Sequence, residues 1–132
     1  MATIGSWGST LVFSTSDRRI LTFSDFTRKT SSEWAKHGRI GAKDKTEFVK
    51  PGLQKVSFKM TLDATLGVRP RSMLDTLANA VERGVINPLV IGGKRVGRHR
   101  WKITDTSEAW DVVYYRGELV RATVTVSMEE YL

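Results

Sequence analysis

Between Val120 and Met128 every second residue is apolar: Val120, Ala122, Val124, Val126 and Met128 are separated by Arg121, Thr123, Thr125 and Ser127. Side chains of a strand point alternately to its two faces, so this pattern predicts a strand with one face in a core and one toward water or a partner. The same period recurs where Val56, Phe58, Met60 and Leu62 alternate with Lys55, Ser57, Lys59 and Thr61. Strands that are apolar on one face only belong to antiparallel sheets, since the strands of parallel sheets are buried on both faces.

One stretch breaks this period. Met73, Leu74, Leu77, Ala78 and Val81 form a single apolar stripe at helical spacing. Pro70 suits a first turn, Ser72 with Asp75 three residues on offers a cap, and Gly84 followed by Asn87-Pro88 ends the run. The pattern predicts a one-sided helix of about 12–14 residues packed on a sheet.

Shorter strands are expected at 10–13, at 20–26, at 89–91 ahead of Gly92-Gly93, around Trp101 and Ile103, and at 110–115. Residues 14–19 and Arg116-Gly117-Glu118 are read as turns. The sum is one helix and six to eight strands in 132 residues, the size of one domain. The expected fold class is α+β: an antiparallel sandwich or barrel-like sheet with one packed helix.

Residues 24–55 stand apart. Arg28, Lys29, Lys36, Arg39, Lys43, Lys45, Lys50 and Lys55 crowd this stretch, glycines and Pro51 interrupt it, and Trp34, Ile40, Phe48 and Val49 are its few large apolar residues. A polar segment this long is either a loose loop or a functional arm. With Trp34 and Phe48 as anchors, the expectation is an extended arm that becomes ordered on a neighbour.

Chemistry is sparse. The chain has no cysteine, which removes disulfides and thiolate metal sites and points to a reducing compartment. The two histidines, His37 and His99, lie among Lys36, Arg39, Arg98 and Arg100 with no carboxylate beside them in sequence to orient a ring. Gly92-Gly93-Lys94 lacks the spacing and the Ser or Thr of a phosphate loop. No catalytic activity, cofactor or metal is expected. The first residues carry no charged leader, and no stretch approaches the roughly 20 apolar residues of a membrane span, so neither signal peptide nor membrane partner is expected.

A net charge of +7 invites a second reading, a small basic nucleic-acid-binding β-barrel. It would centre on Lys94, Arg95, Arg98, His99, Arg100 and Lys102 around Trp101. Against it, Trp101 and Ile103 fit the buried face of a strand and leave Arg100 and Lys102 together on the other.

Taken in order, Gly5-Ser6-Trp7-Gly8 with Phe13, the arm with Arg28, Trp34 and Arg39-Ile40-Gly41-Ala42-Lys43-Asp44, and the strand to Leu62 form a recognisable series. It continues with the helix into Gly84 and Pro88-Leu89, Gly92-Gly93, Trp101-Lys102-Ile103, and a closing hairpin at Gly117. This series resembles the tail protein U family of contractile-tailed bacteriophages and phage-tail-like bacteriocins. The chain departs from it at the last turn, Arg116-Gly117-Glu118-Leu119, where an Asp-Gly-x-Pro type is common in the family.

The resemblance implies a tail-tube-like structural protein of the virion tail, assembled in the host bacterial cytoplasm. It would sit between the tail tube protein and the baseplate hub protein, near the end of the tape-measure protein. A ring of identical copies follows, hexameric by preference, with a trimer matching the hub as alternative. Expected contacts between subunits are Arg28, Trp34, Arg39, Lys43, Lys45, Phe48, Arg98, Arg100 and Lys102. The basic arm would meet carboxylates such as Glu108, Asp111, Glu129 and Glu130 on the next copy, and the outer faces of residues 55–62 and 119–128 would supply a flat contact.

Overall fold

The structure, a computed structural model, describes residues 2–15, 20–21, 23–113 and 117–132. Among them are two five-stranded antiparallel sheets, one α-helix and a separate two-stranded ribbon. The first sheet has β1 (Ala2–Trp7) at its centre. On one side lie β2 (Leu11–Thr15) and the two-residue β3 (Ile20–Leu21), and on the other β9 (Leu89–Ile91) and β10 (Lys94–Arg95). The second sheet, curled like half a barrel, runs β4 (Phe23–Lys29), β7 (Lys55–Asp63), β12 (Leu119–Tyr131), β11 (Arg100–Val113) and β8 (Ile86–Asn87). The ribbon consists of β5 (Ser32–Arg39) and β6 (Ala42–Pro51). The α+β reading of the sequence therefore holds.

The two alternating stretches pair with each other. β7 and β12 run in unbroken register from Arg121 opposite Asp63 to Glu129 opposite Lys55. Val56, Phe58, Met60 and Leu62 share the inner face with Ala122, Val124, Val126 and Met128, and all eight are buried. At the start of β12 the pairing shifts around Val120, so Leu119 reaches the core and Val120 is only half-buried.

The two sheets meet through a continuous cluster. Phe13 of the first sheet stands edge-on to Phe58 and Phe23 of the second, with centroids 5.6 and 4.8 Å apart. Trp7 spans the layers and donates its indole N–H to the carbonyl of Trp101 at 3.0 Å, while Trp101 donates to Val96 O at 2.7 Å. Both indoles are fully buried, so each polar handle needs such a partner.

α1 (Pro70–Arg83) lies against β11 and β12 and buries Pro70, Leu74, Leu77 and Ala80, with Met73 and Val81 at the margin. Gly84 closes it in the left-handed conformation at φ 65°, its N–H bonded to Ala80 O and Val81 O. The start differs from the expectation. Arg69 is the N-cap and makes no side-chain cap bond, Pro70 opens the first turn, and Ser72 lies inside the helix, where its carbonyl accepts from Thr76 Oγ1. Proline at the first position already fixes φ and lacks one of the orphan donors, which makes the Ser72–Asp75 cap unnecessary.

β11 is longer than the two short strands read at 101–103 and 110–115. It continues through Thr-Asp-Thr-Ser-Glu-Ala, residues without apolar alternation, because past the irregularity at Thr104 each residue from Asp105 to Trp110 finds a partner on β12. The turn read at 116–118 lies partly outside the described residues, and that at 14–19 mostly so.

Candidate interaction surface

The ribbon holds five of the nine residues singled out as contacts. Residues 23–29 are an edge strand of the second sheet, and the projecting part begins at Ser32. Almost every side chain from Ser32 to Pro51 is exposed. Trp34 and Phe48 face each other across the ribbon, centroids 5.3 Å apart and edge-to-face, yet each keeps about half its surface in solvent, at 54% and 52%. Within the single chain these two expected anchors cover only part of each other. Ile40, at the tip, is fully exposed.

The charge of the ribbon is partly compensated from within. Lys50 pairs with Glu33 at 3.6 Å, and His37 Nε2 lies 3.0 Å from Glu47 Oε2, a carboxylate brought in across the strands. Arg39 donates Nε–H to the carbonyl of Lys43 at 2.9 Å, bracing the tip. Among the described residues Lys36, Arg39, Lys43 and Lys45 have no carboxylate within ion-pair distance.

Arg28 sits at the root of the ribbon. Its guanidinium donates twice to Gln54 Oε1, at 2.9 and 3.2 Å. Gln54 N–H donates to the buried carboxylate of Glu130 at 2.6 Å, and Gly52 N–H to Ser31 O at 2.9 Å. Arg28 is thus a brace for the exit of the ribbon. Neither Gln54 nor Glu130 stood out in the sequence as a brace, since a lone amide and one acid in Met-Glu-Glu carry no spacing signal.

Arg98, Arg100 and Lys102 lie around the start of β11, apart from the tip of the ribbon. Lys102 and Lys55 flank Glu129, at 3.4 and 4.0 Å, and Arg100 stands over the ring of Tyr131 at 5.7 Å. Trp101, the aromatic on which the nucleic-acid reading depends, is turned wholly into the core. With Trp101 buried, the basic patch loses the stacking aromatic on which that reading was centred.

The outer face of β7 and β12 presents Ser57, Lys59, Thr61, Arg121, Thr123, Thr125 and Ser127, with no large apolar side chain among them. Large exposed apolar groups gather instead on the far half of β11: Trp110, Val112 and Val113. Arg71 lies over the Trp110 ring at 5.2 Å, and Trp110 donates Nε1–H to Glu108 at 3.1 Å.

A groove of about 830 Å³ runs along the start of α1 beside Arg69, Arg71, Asp75, Asn79 and Glu118. Its lining holds no histidine beside Asp75 and Glu118 that could serve as a base. No group of three metal-ligating side chains occurs among the described residues.

An exposed aromatic ribbon, a braced root and a sheet edge with apolar groups are the equipment of an assembling subunit. A model of the Phage P2 GpU family matches residues 10–132, from the start of β2 to the end of the chain. The chain belongs to this family. It is a structural protein of a phage tail, and it works among the other components of that tail. No curated protein matches it. The matched span of this GpU-family chain takes in the ribbon, its brace and the whole second sheet; β1 and the first two residues of the turn after it precede the match.

Proposed function

We propose that this GpU-family protein forms a ring at the baseplate-proximal end of a contractile tail, in a phage or a phage-tail-like bacteriocin. The ring lies between tail tube and central hub, near the end of the tape-measure protein, and tail assembly requires it. The chain acts as one domain, and the ribbon within residues 24–55 is the arm it lends to a neighbour. Six copies match a six-fold tube; three would match the hub.

The observation that carries this reading is the ribbon itself. Two strands with almost every side chain exposed, and an aromatic pair uncovered by their own core, gain little from folding alone. A neighbour that covers Trp34, Ile40 and Phe48 supplies the missing burial. The contacts singled out divide by role: Trp34, Arg39, Lys43, Lys45 and Phe48 reach outward, Arg28 aims the arm, and Arg98, Arg100 and Lys102 border its root.

Native mass spectrometry of the purified full-length protein, alone and with the tail tube and hub proteins, tests the ring. A closed oligomer that joins the tube protein is expected. A chain that stays monomeric in every mixture sinks the reading. In the particle-producing host, replacing residues 33–50 by a short turn is expected to abolish tails while the soluble domain still folds.

A further inference from the structure

The second sheet has an open edge along most of β11. Among the described residues, β11 pairs on the side away from β12 with β8 alone, at Trp101 and Lys102. Among the described residues nothing pairs with that side from 103 to 113. Within this stretch the register to β12 is uninterrupted from Asp105 to Trp110, between insertions at either end. An open, regular strand edge offers unpaired N–H and C=O groups to another strand.

Few strands on this molecule suit it. The free edge of β4, at the opposite side of the sheet, is broken at Asp25, whose φ is 53° and where the register shifts. β3 and β10 are two residues long. Within the ribbon the extra residues of the irregular pairings fall on β6, so β5 is the regular strand, and its outer edge is open.

Resting on the ring reading above, we propose that β5 of one copy adds antiparallel to β11 of the next, with Trp34 opposite Trp110, Lys36 opposite Glu108 and Arg39 opposite Asp105. One register satisfies all three pairs, and it sets Ala35 opposite Ala109 and His37 opposite Ser107; its one like-charge pair, Glu33 opposite Asp111, falls at the end of the regular stretch, where Lys50 offsets Glu33 within the ribbon. Residues 104–113 carry three carboxylates and no base, while Lys36 and Arg39 lack carboxylate partners among the described residues. Trp34 and Trp110 are each about half exposed, at 54% and 46%, and cross-strand aromatic pairs are among the strongest side-chain contacts of a sheet. Donor and acceptor are different surfaces, so the contact is head-to-tail and closes into a ring when the rotation allows. The sheet of each subunit then continues into the ribbon of its neighbour.

Hydrogen–deuterium exchange on the full-length protein, dilute and concentrated, reads this directly. In the oligomer the amides of 105–110 and 33–39 are expected to slow by about tenfold or more, while amides of β7 hold their rates. Lys36→Glu and Glu108→Lys should each weaken association by about tenfold, and the Lys36→Glu/Glu108→Lys double variant should regain most of it. Unchanged melting temperatures of the dilute variants separate this from misfolding. An oligomer in which 105–110 exchanges as fast as in the monomer overturns the strand pairing and leaves the ring standing. Protection at 105–110 without recovery in the double variant overturns the register, and a chain that never associates overturns both readings.

Discussion

Gln54 and Glu130 hold each other twice: Gln54 N–H donates to the Glu130 carboxylate at 2.6 Å, and Glu130 N–H donates back to Gln54 O at 3.0 Å. Glu130 is 8% exposed, the one charged residue among the buried side chains described. Through Arg28, which grips Gln54 Oε1, this pair ties the root of the ribbon to the last strand. Glu130→Ala leaves the Gln54 N–H without its acceptor and should cost about 1–3 kcal/mol. Amide exchange at 52–54 should quicken. Unchanged exchange there, with unchanged stability, would show that the root is held by other contacts.

The apolar stripe of α1 gives a second expectation. Leu77 is buried at the centre of the helix face that lies on β11 and β12. Leu77→Ala should destabilise the fold by about 2–5 kcal/mol, read from urea melts with an unchanged m-value. A melt that does not move would mean the helix contributes no packing.

Gly5 lies where β1 passes β9 so closely that an added Cβ would sit 2.5 Å from the carbonyl oxygen of Val90. That neighbour is backbone and cannot swing away. Gly5→Ala should therefore push the two strands apart and cost about 1–3 kcal/mol, with the amide protection of β9 lost first. Wild-type stability in this variant would place the two strands farther apart than described.

How much of this was legible beforehand depended on whether a side chain's environment follows from its own strand. Val56 to Leu62 and Ala122 to Met128 revealed their faces, because period two survives wherever one face is buried. Trp101 could be assigned inward from Ile103 two residues on. The middle of β11 was silent: residues 105–109 are held by backbone pairing to β12, and that leaves no apolar trace. The ribbon was silent for the same reason, since a strand exposed on both faces has no alternation to read. Trp34 and Phe48, read as anchors on a neighbour, are half exposed in the single chain, and nothing in one chain reports the neighbour. The positions of Glu129 and Glu130 bear on the expected arm contacts in the same way. Glu130 turns inward to Gln54 and Glu129 lies between Lys55 and Lys102, which leaves Asp105, Glu108 and Asp111 as the outward carboxylates of this region.

Asp63 ends β7 and caps the short 3₁₀ turn Ala64–Leu66. Its Oδ1 accepts from the Thr65 hydroxyl at 2.7 Å and from the Thr65 N–H at 2.9 Å. The hydroxyl bond first, the backbone bond second, hold its carboxyl below the usual carboxylate range, with Arg121 adding a smaller pull. A carboxyl depressed in the folded state stabilises the fold at pH values above its unfolded pKa, and that contribution fades as pH falls through the folded one. Stability should therefore drop on acidification below about pH 4, and Asp63→Asn should flatten that part of the profile. A carboxyl signal that titrates at the ordinary Asp position, with Thr65 N–H unmoved, would refute the cap.

The ribbon leads to the last expectation. Its strands are paired, so the free protein should resist trypsin along β5 and β6 and yield first at the tip, where Arg39 and Lys43 flank Ile40-Gly41. Cleavage needs a segment to leave its pairing and enter the protease, and the tip is the one part of the ribbon that can do so without breaking ladder bonds. Arg39, whose Nε–H is held by Lys43 O, should be cut more slowly than Lys43. In the assembled tail the tip should become resistant if the ribbon is the arm proposed above, since a neighbour would then cover Ile40. Cutting spread evenly over 32–51 in the free chain would mean that the strands are unpaired in solution. Equal cutting at the tip in free chain and tail would mean that Ile40 stays uncovered, and the arm would then end in solvent instead of on a neighbour.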